Sequence, residues 1–512
     1  MASAADFKKV IDDGFAFSGD SILLGTAMYN KEAVEKTPVK IPLAMVNRHG
    51  LIAGATGTGK TKTIQHLAEA LSEKGVSVLL MDIKGDLSGI AKPGTENPKI
   101  TERIAKIGAD WKPKQFPIEL MSISNEKGLR LRATVSEFGP VLLSKILELN
   151  ENQQGAVTIV FKFCDDHKMP LLDIKDFREA LRYVTNEGKD QIKEYGSITP
   201  ATAGVIMRKL LELEQQGGDK FFGEKSFDVQ DLLRKDSNGA GFINVIRLSD
   251  MQDKPKLFST FMLCLLAEVY ATFPELGDLA QPKLAIFIDE AHLIFRDATK
   301  ALMDQMETVI KLIRSKGVGI YFCTQVPSDI PDEILSQLGS KFQHAMRAFT
   351  AKDRQSIKLV AQNYPETDFY KTEDLLTELG IGEALVSVLN EKGAPAPLAH
   401  TLLFPPTTRM DVLTTDEQDA IVSSSKIAAS YNEVIDRNSA YEMLTKKITP
   451  VATEEDDSGS KPAGRASKTV TKEEGGLDIA GTIAAVSKNP IVKQVAREVS
   501  RGLLGMLFGK SR

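Results

Sequence analysis

The chain has 512 residues, 42% of them apolar and 26% charged, and a formal net charge of −5. This is the composition of a soluble globular protein of about two to four domains, or of one large domain with insertions. It excludes polyanion binding by bulk charge, so any contact with nucleic acid has to be a local basic surface or the lining of an oligomer.

The three scattered cysteines, Cys164, Cys264 and Cys323, read as buried thiols of a reducing compartment. The N-terminus has no secretory h-region, and no apolar run reaches the roughly 18–20 residues of a membrane span. The expectation is a cytoplasmic protein without an integral membrane span.

In chain order, residues 1–44 read as a short N-terminal β segment, with "SILLGTAMYN" and "VKIPLAM" on either side of a charged loop. A strand at 49–53 feeds a glycine-rich turn and a helix at 60–74. "VSVLLMDI" (76–83), β-branched and leucine-rich, reads as a second buried strand, and 45–133 form the first part of a core. Residues 134–238, with helical-period runs such as "GPVLLSKILELNENQQGAVTIVFKFCDDH", read as a helical insertion. The core resumes over 239–410. Strands at 241–248, 283–290, 317–325 and 343–350 are separated by helices at 255–273, 298–316 and 351–363, which predicts an α/β fold with a mainly parallel, helix-covered sheet. A hairpin over 382–404 turns at 391–394. Beyond it come a helical extension (411–450, with a helix or pair at 425–447), a polar linker read as disordered (451–476) and an amphipathic C-terminal helical tail (477–512).

Gly54-Ala55-Thr56-Gly57-Thr58-Gly59-Lys60-Thr61, followed by Lys62, fits the phosphate-loop pattern G-x-x-x-x-G-K-[ST] between a predicted strand and a predicted helix. The glycines let successive N–H groups curl inward onto phosphates at the positive end of the helix. Lys60 is placed to reach the β/γ-phosphates and the Thr61 hydroxyl to ligate Mg²⁺. In "LAIFIDE" (284–290) a buried strand delivers Asp289, to hold Mg²⁺ through water, and Glu290, to polarise an attacking water. A strand merely ending in solvated acids would look the same. Gln325 ends the next strand, where it senses a γ-phosphate or caps the following turn. His292 is read as orienting nearby backbone. "MDIKGDLSG" closes its strand with Asp82, Lys84 and Asp86, which face the nucleotide or an adjacent subunit, or form an ordinary charged turn. Arg314 reads as a cation at a helix C-terminus. Arg347, and after it Arg354, are candidates for an arginine donated to a neighbouring subunit's γ-phosphate.

"NRHGLIAGATGTGKT", "MDIKGDLSG", "IDEAHLIF", "IRSKGVGIYFCTQVPSDIPDEILSQLG" and "HAMRAFTAKD" together resemble the HerA-like branch of the HerA–FtsK ATPases, and more narrowly the bacterial YjgR-like proteins. The resemblance covers nearly the whole chain except the linker. It implies a RecA-like P-loop NTPase core in which the phosphate-loop strand and the Asp-Glu strand flank a central strand, with ATP as the nucleotide. It also implies a ring, commonly a hexamer, with nucleotide between subunits and Arg347 or Arg354 reaching across. In the wider family such rings move double-stranded DNA, and HerA itself works with a nuclease. The family's N-terminal β-barrel is expected to be truncated or absent here, which leaves the nuclease partner and action on DNA ends open.

The leading expectation is a Mg²⁺-dependent ATP hydrolase that translocates DNA. The alternative is a nucleotide-gated assembly or signalling ATPase indifferent to DNA; a protein-translocating ATPase fits the same core. In the tail, Asn489 and Pro490 open a helix whose Ile491, Val495, Val499 and Leu503 recur every four residues. It is read as a tether to its own or a neighbouring subunit, a partner or nucleic-acid contact, or a membrane-surface helix.

Overall fold

Short β-branched runs separated by amphipathic helices assemble, in the computed structural model, into one twelve-stranded sheet. The structure describes residues 3–277, 279–296, 300–435 and 437–448; the linker and tail read from the sequence lie outside the described residues. The strands are β1 (Ser21–Tyr29), β2 (Glu32–Pro42), β3 (Gly50–Ala53), β4 (Ser77–Asp82), β5 (Ile118–Ser122), β6 (Leu129–Arg130), β7 (Ile243–Arg247), β8 (Leu284–Ile288), β9 (Val318–Thr324), β10 (Ser340–Gln343), β11 (Glu383–Ser387) and β12 (Ala399–Leu403). Their spatial order is β2-β1-β12-β11-β10-β3-β9-β8-β4-β7-β5-β6. Every pairing from β10 to β6 is parallel, and β11, β12, β1 and β2 continue the sheet antiparallel.

Every residue of β3, β4, β8 and β9 is buried, as helix-covered parallel strands require. Their side chains alternate between two cores. Leu51, Leu79, Met81, Ile286 and Ile288 face one cluster with the helices Val135–Ile146, Glu151–Asp166, Ile174–Thr185, Pro200–Gln215 and Pro255–Thr272. Ile52, Val78, Leu80, Phe287 and Tyr321 face the other, with the helices Ala4–Gly14 and Lys60–Glu73. The helices between β6 and β7 thus share a continuous apolar core with one sheet face.

Two expectations change. The N-terminal strands do not stand apart as a separate β segment. They are the outer strands of the main sheet, with β1 pairing to β12 (Gly25 opposite Leu403), and a helix at Ala4–Gly14, opened by a Ser3–Asp6 capping box, precedes them. The strand expected at 343–350 is β10, and it ends at Gln343. His344 N–H still donates to Ala53 O at the end of β3 (2.7 Å), but beyond it the backbone bonds elsewhere: Ala345 O accepts from Ala55 N–H (2.8 Å), and Met346 N–H donates to Leu376 O (2.9 Å). Arg347 therefore sits in an irregular segment rather than on a strand. The 382–404 hairpin forms as β11 and β12, with Asn390 N–H donating to Ala394 O at the turn.

After β12 the chain doubles back over the Lys60–Glu73 helix as a strap, 405–413. Buried Glu69 accepts from Thr407 N–H and Oγ1 (both 2.7 Å) and from Thr408 N–H (3.1 Å) and its hydroxyl. Gln65 Nε2 donates to Thr408 Oγ1 (2.6 Å) and Arg409 O (2.9 Å). Among the described residues no helix is long and apolar enough to cross a membrane.

Candidate active site

β3, β9, β8 and β4 lie side by side and parallel, so the residues leaving their C-terminal ends emerge along one sheet edge, where open α/β sheets bind ligands. Ala53 is paired with Thr324 and Ile288 with Phe322 and Met81. The phosphate loop after β3 and the Asp289-Glu290 pair after β8 thus flank β9.

Gly57 and Gly59 adopt φ of 80° and 115°, left-handed backbone that favours glycine. Gly54 needs its missing side chain for another reason: a Cβ there would come within 2.6 Å of the His344 Cβ. The loop is braced from outside, with Thr58 O accepting from Gly382 N–H (3.0 Å) and Thr63 hydrogen-bonded to His344 Nε2 (3.0 Å). Burial pushes the His344 imidazole down to about 4, so it stays neutral beside Lys60.

Lys60 is buried and folded back over the loop, donating from Nζ to Gly54 O (2.7 Å) and Ala55 O (3.2 Å). Thr61 Oγ1 donates to Asp86 Oδ2 (3.2 Å). Lys62, read with the phosphate loop, has its ammonium donating to Met410 O (2.5 Å) and Gln65 Oε1 (3.3 Å), which ties it to the strap.

Asp289 is 3% exposed, and its Oδ2 has no hydrogen-bond partner. Burial raises its carboxyl above the ordinary range, against the opposing charge of Lys84. Glu290 sits at φ 46°, left-handed backbone that a side chain adopts only at a cost, and such positions cluster at functional sites. One of its oxygens is ion-paired to Lys84, and the other lies 3.1 Å from His292 Nδ1. His292 therefore touches the Glu290 carboxylate. Burial pulls the Lys84 ammonium down, but the hydrogen bond to Glu290 and the charges of Asp289 and Glu290 outweigh it and hold it above its usual value. Gln325 is exposed at the end of β9, its carbonyl accepting from Gly54 N–H (3.1 Å). Arg347 and Arg354 are exposed, the latter on the helix Ala351–Gln362.

A family model described as helicase HerA-like C-terminal matches residues 28–512. The chain belongs to this family. Relatives of this HerA-family chain include the DNA double-strand break repair helicase HerA of Sulfolobus acidocaldarius, 24% identical over 371 residues that cover 68% of this chain and 64% of that protein. The protein of the same description from Saccharolobus solfataricus is 25% identical, with 68% and 63% covered. The chain thus spans just under two thirds of the length of these relatives. Among solved structures, the plasmid coupling protein TrwB in complex with the non-hydrolysable ATP analogue ADPNP shares the fold, with a TM-score of 0.50 at 14% identity over 81% of this chain and 96% of that one.

Sequence reasoning brought together Lys60, Thr61, Asp289 and Glu290, and did not assign partners to Lys84, Asp86 or His344. Lys84 and Asp86 read either as facing the nucleotide or an adjacent subunit or as an ordinary charged turn; only the adjacency of β4 and β8 reveals whom they meet.

Proposed function

We propose that this protein is a Mg²⁺-dependent ATP hydrolase that drives double-stranded DNA through a ring, commonly a hexamer, of its own subunits in the cytoplasm. The observation that carries the reading is the meeting, at one sheet edge, of a glycine-shaped phosphate loop with a buried carboxylate and a strained, ion-paired glutamate. The loop amides and Lys60 would hold the phosphates, with Lys60 leaving its two carbonyl partners for them. Thr61 and the partnerless oxygen of Asp289 are hard oxygen donors that fit Mg²⁺, an ion that takes few protein ligands and fills its shell with water and phosphate oxygens. Bound there, Mg²⁺ would neutralise phosphate charge. Glu290 would orient the attacking water and take its proton, and Gln325 would sense the terminal phosphate. Arg347 or Arg354, both exposed, would complete the site of the adjacent subunit.

The DNA arm of the proposal draws on the relatives described as DNA double-strand break repair helicases. The deciding experiment is phosphate release by purified protein with and without duplex DNA, with Lys60→Ala and Glu290→Gln alongside. Stimulation by DNA that fades with added salt is expected, because phosphate contacts release counterions. Hydrolysis indifferent to DNA would favour the nucleotide-gated assembly reading, and full turnover in Glu290→Gln would remove that residue from its role.

A further inference from the structure

The turn after β4 touches both chemical arms of the site. Asp82, fully buried at the end of β4, accepts from the backbone N–H groups of Gly85 (2.8 Å), Asp86 (3.1 Å) and Leu87 (3.2 Å), tying 82–87 into one closed loop. From this loop Lys84 reaches a Glu290 oxygen, and Asp86 Oδ2 accepts the Thr61 hydroxyl at 3.2 Å. The second Asp86 oxygen is buried without a partner, as is Asp289 Oδ2.

Two physical consequences follow. A threonine oxygen that ligates a cation through a lone pair must send its own hydrogen elsewhere. An anionic acceptor fixes that direction and makes the oxygen a better donor, and partners behind a metal ligand are worth about 10–100-fold in metal affinity. A glutamate that must aim one oxygen at a water also gains from being held. Here Lys84 takes Oε1 while His292 stands beside Oε2.

We propose that the turn 84–86 is a two-armed positioning element, in which Asp86 orients the Thr61 hydroxyl toward the cation and Lys84 orients the Glu290 carboxylate toward the water. The proposal rests on the hydrolase reading above. Neither residue is assigned contact with the reacting atoms; each acts through its neighbour.

The test has two readouts. ADP affinity is measured by calorimetry with excess Mg²⁺ and with EDTA. Asp86→Asn should cut the Mg²⁺-dependent gain by about 10-fold or more while leaving metal-free affinity unchanged. In steady-state hydrolysis, Lys84→Met should lower kcat by about 10–100-fold with KM for ATP little changed, as a misaimed group does, and Lys84→Arg should recover most of it. An unchanged Mg²⁺ gain in Asp86→Asn, a wild-type kcat in Lys84→Met, or a loss appearing in KM instead overturns the proposal. If Lys84→Met does not fold, Lys84→Gln decides by the same criteria. Wild-type turnover that is lost in Glu290→Gln keeps the hydrolase reading whatever these variants do. A wild-type protein that releases no phosphate ends both.

Discussion

Replacing Glu290 by glycine and by alanine separates its backbone from its chemistry. At an ordinary position glycine is less stable than alanine by about 0.5–1 kcal/mol, because its unfolded chain has more freedom to lose. Glu290 stands at φ 46°. There an L side chain crowds its own carbonyl at a cost of about 1–2 kcal/mol that glycine does not incur. Both variants lose the same contacts to Lys84 and His292, so those terms cancel in the comparison. The difference leaves Glu290→Gly the more stable of the two by about 0.5–1 kcal/mol, the reverse of the usual order. Urea unfolding with equal m values reads this as a higher midpoint for the glycine variant. Hydrolysis should fall in both by about 10²–10⁴, roughly 3–5 kcal/mol of barrier, so the more stable protein is no more active. An alanine variant as stable as the glycine one would refute the claim that strain is held at this residue.

Lys60→Ala should abolish tight nucleotide binding while leaving the fold intact, since the two carbonyls it releases border the open phosphate cradle; calorimetry with ATP and far-UV circular dichroism check the two halves. Gly54→Ala should fail to bind nucleotide and lose about 1–3 kcal/mol of stability, because its Cβ would fall 2.6 Å from that of His344. His49 and His344, both pushed down to about 4 by burial, stay neutral in the fold and take a proton in the unfolded chain below about 6.5. Their contribution is therefore complete above pH 6.5 and lost as pH falls toward 4, by about 1.4 kcal/mol per pH unit for each. Urea midpoints between pH 7 and 5 should fall less steeply in His344→Gln, and an unchanged slope would contradict the assignment.

The phosphate loop was legible because its chemistry is written in backbone: glycines at fixed spacing before Lys-Thr have few other uses. Asp289 and Glu290 were legible because a fully buried strand rarely ends in two acids without a reason. β5 was missed because Glu119 interrupts its apolar run, and only the fold shows that this buried carboxylate is paired with Arg234 (2.8 Å). β6, two residues long, carries no periodicity. Past Gln343 the pattern "HAMRAFT" still alternates like a strand, yet its amides and carbonyls are claimed by the phosphate loop and Leu376. Local pattern reports which face a residue presents. It does not report which distant groups a residue meets across the fold, and that is where Lys84, Asp86 and His344 acquired their roles.

The strap 405–413 means that the last strand of the sheet is not the end of the unit that forms the candidate nucleotide site. A chain cut after Phe404 would keep all twelve strands yet lose all four donors to the Glu69 carboxylate and uncover the face of the Lys60–Glu73 helix that the strap overlies. Thr407 and Thr408 fasten the strap to Glu69, and so to the helix whose opening turn carries Lys60 and Thr61. The strap is in that sense a mechanical link between the antiparallel side of the sheet and the candidate nucleotide site.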